Sequence, residues 1–194
     1  MFVGEIMKRR VYVYQENLSS ELVELFNSFG DHIKVETVKE NMITILDTDY
    51  YNPEPVDLSA FQELIQEDFG GEVIIFVEPY MINTFPLGDS IRDFIPSLPF
   101  GVFFFDDVIT YTVLQQNNLL KKEIRDFILD VSNSEVIHTV REFIENNMNS
   151  SLSAKKLFMH RNTLNYRIDN FIEATHINVK TFKGANAIYM LYKF

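Results

Sequence analysis

The chain has 194 residues, 46% of them hydrophobic and 23% charged, a mix that supports the packed core of one large domain or two small ones. Its formal charge of −11 argues on its face against a polyanionic partner, and the absence of cysteine excludes disulfides, thiolate metal sites and cysteine nucleophiles. Apolar stretches such as Val102 to Phe105 fall far short of the roughly 18 residues of a membrane span, and Lys8, Arg9 and Arg10 lead into no secretory-type apolar run. A soluble, cytoplasmic protein without membrane association is therefore expected.

Arg10 to Tyr14 alternates in the manner of a strand, and Ser19 or Ser20 caps a helix with Leu22, Leu25, Phe26 and Phe29 as its inner stripe, ended by Gly30. Ile33 to Val38 and Met42 to Leu46 form a hairpin that turns through Lys39, Glu40 and Asn41. After Pro53 and Pro55, Asp57 or Ser59 caps a second helix that buries Phe61, Leu64 and Ile65 and stops at Gly70. Val73 to Val77 and Val102 to Phe105 are continuous apolar runs, the mark of strands buried on both faces. Between them Ile91, Phe94 and Ile95 belong to a short helix cut off by Pro96 and Pro99. Strand, helix, strand, strand, helix, strand, helix, strand describes a layered, ferredoxin-like α/β sandwich on one mixed sheet.

Beyond Asp107 only helical spacing remains, in Leu120, Ile124, Phe127, Ile128 and Val131, then in Val136, Val140, Phe143, Ile144 and Met148. The predicted fold is thus α+β, with an acidic sandwich over 1–116, a connecting helix over 117–133, and an all-helical domain over 134–194. Charge divides similarly. Residues 1–133 carry 9 Lys+Arg against 23 Asp+Glu, a net of −14, whereas 134–194 carry 8 against 5, a net of +3.

The acidic half offers no catalytic constellation. Asp106-Asp107 follows a buried strand, a common place for sites, but equally suits a helix cap, which is the favoured reading. Gly70 in Gly70-Gly71-Glu72 suits a left-handed helix end. The four histidines, at 32, 138, 160 and 176, show no metal-ligand spacing, and no phosphate-cradling or nucleophile-elbow motif occurs. No enzyme activity, metal or cofactor is expected.

Asn149 to Ile172 is the informative stretch. Ser150 or Ser151 caps a short helix, Ser153 to Leu157, with Ala154 facing inward; a tight turn at Phe158 and Met159 follows. A second helix then starts near Arg161 and buries Leu164, Ile168, Phe171 and Ile172. Its other face presents Arg161, Asn162, Thr163, Asn165, Tyr166 and Arg167, types that hydrogen-bond guanine, adenine and phosphate or touch a thymine methyl. This is a helix-turn-helix pattern with 161–172 as the recognition helix. Lys155, Lys156, Ser151, Ser153 and His160 are expected to lie along the backbone of double-stranded DNA.

His160-Arg161-Asn162-Thr163-Leu164 followed by Tyr166-Arg167-Ile168 resembles the core motif of PucR/CdaR-type transcription regulators. The similarity extends upstream through Asn149, Ser151, Ala154 and Leu157 to the helix Thr139–Asn147, and downstream to a closing helix around Ala187–Leu191. Phe104-Phe105-Asp106-Asp107-Val108, with Val113-Leu114, resembles the segment that closes the family's degenerate cyclase-like α/β domain. The chain departs from the family at Asp169 and Asn170, where basic residues are common, at His176, where glycine is usual, and at Ser150, which replaces an apolar residue. The resemblance implies a sequence-specific transcription regulator binding paired half-sites as a homodimer, with the helix 119–131 as the candidate interface. The acidic module is left to dimerise or to sense an effector. The alternative is a module that keeps the fold, binds DNA weakly or not at all, and acts through protein partners.

Overall fold

The computed structural model describes residues 7–28, 31–50, 67 and 72–193. The chain divides into two compact units, Met1–Phe104 and Phe105–Phe194. The helix expected over 57–70 and the expected helix end at Phe29-Gly30 lie outside the described residues, apart from Glu67.

The first unit is built on a five-stranded mixed sheet. Its strands are β1 (Arg9–Tyr14), β2 (Ile33–Lys39), β3 (Met42–Asp47), β4 (Ile74–Val77) and β5 (Gly101–Phe103), in the order β2-β3-β1-β4-β5. The first four neighbours are antiparallel and β5 joins β4 in parallel, so 2-3-1-4 is the ferredoxin-like order with one strand added at the edge. β2 and β3 turn through Glu40 at φ +47°, and β2 carries a bulge between Val35 and Thr37. Helix α1 (Ser20–Asn27), capped by the Ser19 hydroxyl, lays Leu22 and Phe26 on Val11, Val13, Ile43, Ile45, Ile75 and Val77. β4 is buried on both faces, as its unbroken apolar run requires.

Helix α2 (Gly88–Phe94) buries Ile91 and Phe94 and runs into a 3-10 turn at Ile95–Ser97. Gly88 lies against the Tyr12 hydroxyl and the Glu78 carboxylate, and a Cβ there would stand 2.5 Å from Glu78 Oε1. Glu78 is itself only 3% exposed. Its Oε1 accepts from the Tyr12 hydroxyl and its Oε2 from the Arg10 amide, both at 3.0 Å. Burial pushes the Glu78 carboxyl up to about 7, against the two hydrogen bonds, which favour the anion.

The second unit is helical throughout: α3 (Phe105–Leu114), α4 (Asn118–Val131), α5 (Ser134–Glu145), α6 (Ser150–Lys156), α7 (Arg161–Thr175) and α8 (Phe182–Lys193). Two expectations are corrected here. The strand expected over Val102–Phe105 ends at Phe103, and Phe105 opens α3 with Asp106 and Asp107 in its first turn, inside the helix rather than at its cap. The Phe105 ring is buried edge-on against Phe127, with centroids 6.0 Å apart, a contact that a strand ending at Phe105 would not direct inward. The compact units therefore part after Phe104, ahead of the expected boundary at 116.

The stripe on α4 is the second correction. Leu120, Ile124, Phe127 and Ile128 are buried within this unit, where α4 packs on α3 and α7, so that face is core and not an interface. Helix α8 packs on α3 and α5 and buries Ala185, Ala187, Ile188 and Leu191. Arg125 on α4 donates from Nε to the Leu191 carbonyl at 3.0 Å, satisfying one of the carbonyls that a helix end leaves open. Lys183 on α8 reaches Asp107 at 2.6 Å and Asp106 at 3.9 Å.

Gly184 packs closely against the loop that precedes α8. A Cβ there would stand 2.3 Å from the Asn178 carbonyl oxygen, a backbone atom that cannot rotate away. Gly184→Ala should cost about 1–3 kcal/mol through overpacking, read as a lower denaturant midpoint. The Glu78 carboxyl gives a second expectation. Because the folded protein holds this proton from its ordinary value near 4.5 up to about 7, the contribution of Glu78 to stability falls as pH rises through that window and is flat above it. The drop should be on the order of 3 kcal/mol. Glu78→Gln, which keeps an acceptor for the Arg10 amide and a donor for the Tyr12 oxygen, should remove the decline; unfolding both proteins at pH 5 and pH 8 measures it.

Candidate nucleic-acid interface

The segment from Asn149 to Thr175 is organised by its helix ends. The Asn149 side chain accepts from the Leu152 amide at 3.0 Å and is the N-cap of α6, so the helix starts at Ser150 and neither Ser150 nor Ser151 caps it. Asn has the same short acceptor as Ser but lies one residue earlier. Ala154 is 4% exposed and Ser153 fully buried, small side chains on a helix that packs on both α5 and α7.

The turn between the helices takes one residue in the left-handed region, Phe158 at φ +52°. Its amide and that of Met159 donate back to the Lys155 and Ala154 carbonyls, at 3.3 and 3.0 Å. The chain then reverses into α7, whose N-cap is His160: Nδ1 accepts from the Asn162 amide at 3.2 Å. Leu164, Ile168 and Phe171 are buried, and α7 packs on both α5 and α6. At its far end His176 adopts φ +59°, the left-handed cap that glycine fills most cheaply.

The sequence-derived residues fall into three groups. Arg161, Asn162, Thr163 and Tyr166 are exposed along α7, with Asn165 half-buried beside them, while Ser151, Lys155 and Lys156 are exposed on α6. Among the described residues no acidic side chain pairs with Lys155, Lys156 or Arg161. His160 is exposed, with one ring nitrogen committed to the cap. Ser153 and Arg167 do not join the exposed surface. The Ser153 hydroxyl is buried and donates to the Asn149 carbonyl at 2.9 Å, so a phosphate cannot reach it. Arg167 turns toward α5, where it donates to Glu135 Oε1 at 2.6 Å and to the Thr139 hydroxyl at 3.3 Å.

Charge around this surface is one-sided. Residues 146–168 contain Lys155, Lys156, Arg161 and Arg167 and not one Asp or Glu. Asp169, the departure that argues most directly against a polyanion, is engaged by Lys180 from the loop that follows α7. The N-terminus of α7 adds its own unpaired amides and partial positive charge to the same place. Lys180 was not foreseen in this role, since eleven residues and a loop separate it from Asp169; the acid-free run, by contrast, is plain in the sequence.

Two helices joined by a tight left-handed turn, crossing over small buried residues and leaving the second helix with an exposed polar face, constitute a helix-turn-helix. Residues 136–193 match the PucR C-terminal helix-turn-helix domain. The chain is similar to the Bacillus subtilis protein YxkF, 53% identical over 60 residues, which are 31% of this chain and 20% of that protein. It is also similar to the Bacillus subtilis proline-responsive transcriptional activator PutR, 32% identical over 84 residues, 41% of this chain and 20% of PutR. The chain thus spans about a fifth of the length of either relative. In fold it is similar to a regulator of polyketide synthase expression from Bifidobacterium adolescentis, with a TM-score of 0.50 at 13% identity over 97% of this chain and 79% of that one. Among the described residues no helix is long and apolar enough to cross a membrane, and no group of three acidic or histidine side chains could hold a metal ion.

Arg167 supplies a test of this division of labour. Arg167→Ala removes a tie between α7 and α5 whose partner Glu135 is mostly exposed, so it should cost no more than about 1 kcal/mol of stability. A thermal melt of the variant checks this.

Proposed function

We propose that the chain is a DNA-binding transcription regulator in which α7 is the recognition helix. What carries this reading is the N-terminal end of α7: Arg161, Asn162 and Thr163 stand exposed at the helix dipole's positive end, beside Lys155 and Lys156, with no acid paired to them. In the helix-turn-helix mode this end enters the major groove while the preceding helix crosses the backbone. Arg161 and Asn162 then contact base edges, Arg suited to guanine and Asn to adenine, with Thr163, Asn165 and Tyr166 along the groove wall. Ser151, Lys155 and Lys156 meet phosphate, and His160 fixes where the helix starts. Arg167 and Ser153 act through the fold and not through DNA.

Regulators of this architecture bind paired half-sites about one helical turn apart as dimers, and a homodimer in the cytoplasm is the assembly we propose. The sandwich unit, with 6 Lys+Arg against 18 Asp+Glu over residues 1–104, is repelled by phosphate and is assigned to self-association or to an effector or protein partner. No catalytic step, metal or cofactor enters the proposal.

Selection of bound duplexes from a random pool, followed by titration of the selected site and a scrambled one, tests it. Arg161→Ala or Asn162→Ala should lose about 1–3 kcal/mol on the selected site and much less on the scrambled one. Lys155→Ala should weaken both and lower the slope of log affinity against log salt by about 1. A chain that enriches no sequence and shows no salt-dependent binding is the protein-interaction module instead.

A further inference from the structure

Phe158 is the most exposed large apolar side chain among the described residues, at 98%, and it occupies a left-handed backbone position, φ +52°. The backbone requires that conformation: the amides of Phe158 and Met159 close the end of α6 on the carbonyls of Lys155 and Ala154. A glycine or asparagine would hold it at lower cost, since a bulky side chain crowds the backbone there. The ring returns nothing to the fold, because it buries almost no surface. Packing therefore does not explain a phenylalanine at this position.

Its neighbours point to what would. Lys155 and Lys156 precede it, His160 and Arg161 follow it, and no acid lies within ten residues on either side. An aromatic ring fully in water, bordered by cations at the entry to a recognition helix, suits a polyanion with an apolar feature near its phosphates. In the major groove of a duplex that feature is the thymine 5-methyl group. We infer that Phe158 is a DNA-contact residue whose ring packs on a thymine methyl at the edge of the half-site, making the turn itself part of the reading surface. The inference rests on the DNA-binding reading above and adds a residue, a base and a contact type to it.

The test uses the full chain, its selected DNA site, and Phe158→Gly with Phe158→Asn as a second variant. Both replacements suit the left-handed turn, so their thermal midpoints should equal or exceed the parent's, while affinity for the selected site should fall about tenfold. Replacing thymines of the site one at a time by deoxyuridine, which lacks only the methyl, should weaken the parent at one position per half-site and leave both variants indifferent there. Variants that bind as tightly as the parent, or a uridine scan in which parent and variants respond alike, would overturn the inference; the exposed ring would then serve a protein partner. A parent that binds no duplex fails at the first titration, and that result sinks the DNA reading together with this one.

Discussion

The close crossing of α6 and α7 is the constraint on which the helical unit depends. α6 packs on both α5 and α7, and the side chains it buries are the small Ala154 and Ser153, whose hydroxyl is taken up by the Asn149 carbonyl. The turn is correspondingly short, with a single left-handed residue reversing the chain within three positions before His160 caps the next helix. Fixing this crossing fixes the direction of α7, which in turn sets which of its residues face the core. Leu164, Ile168 and Phe171 go inward, and the N-terminal polar residues are left in water. The candidate interface is thus a by-product of packing, and each residue offered to a ligand stands opposite one that holds the helix in place.

Electrostatics is arranged around that surface by pairing as much as by composition. The helical unit carries 11 Lys+Arg and 10 Asp+Glu over 105–194, nearly balanced, so net charge alone would not attract a polyanion. Four of these ten acids, however, are locally engaged: Asp169 by Lys180, Glu135 by Arg167, and Asp106 and Asp107 by Lys183. Exposed pairs of this kind contribute little to stability. Their larger effect is on the field, since a neutralised carboxylate no longer opposes phosphate at a distance where free charges act, about 10 Å at 0.1 M salt. Lys155, Lys156 and Arg161 are spared such partners among the described residues. Counting residues would have ranked Asp169 as an obstacle to DNA; the Lys180 contact reduces it to half of a neutral pair.

Much of this was legible in the sequence because the signals were local. The alternation of Arg10 to Tyr14 marked β1, and a continuous apolar run marked β4. Spacing of three and four picked out Leu120, Ile124, Phe127 and Ile128 on α4, Val140 and Phe143 on α5, and Leu164, Ile168 and Phe171 on α7. The buried Ile137, Thr139 and Thr175 fell outside the expected stripes, and Val131, Val136, Ile144, Met148 and Ile172 are not buried. Other features were not legible, for identifiable reasons. The start of α3 at Phe105 was masked by an apolar run, Val102 to Phe105, that serves strand and helix alike, and only the burial of the ring against Phe127 separates them. Arg167 had the chemistry of a base-reading residue and the wrong direction, because its partners Glu135 and Thr139 lie 32 and 28 residues away. Ser153 had the chemistry of a phosphate contact but sits on the inner side of a helix that begins three residues earlier than expected. In each case residue type was informative and long-range orientation decided the role.

The two ends of α7 show how the same backbone device can have different grounds. Phe158 before the helix and His176 after it are both non-glycine residues in the left-handed region, at φ +52° and +59°, and each carries a cost of about 1 kcal/mol relative to glycine. At His176 the conformation closes the helix, its amide donating to the Ile172 carbonyl at 2.8 Å; its side chain is exposed, and the neighbour that enters the core is Ile177. At Phe158 the same closure is made, yet the side chain meets only solvent. A strained residue that packs against nothing is retained by the fold at a loss, and that loss is intelligible where the residue faces something the isolated chain lacks. The near-complete exposure of Phe158 therefore marks the turn as the part of this motif for which we propose a partner.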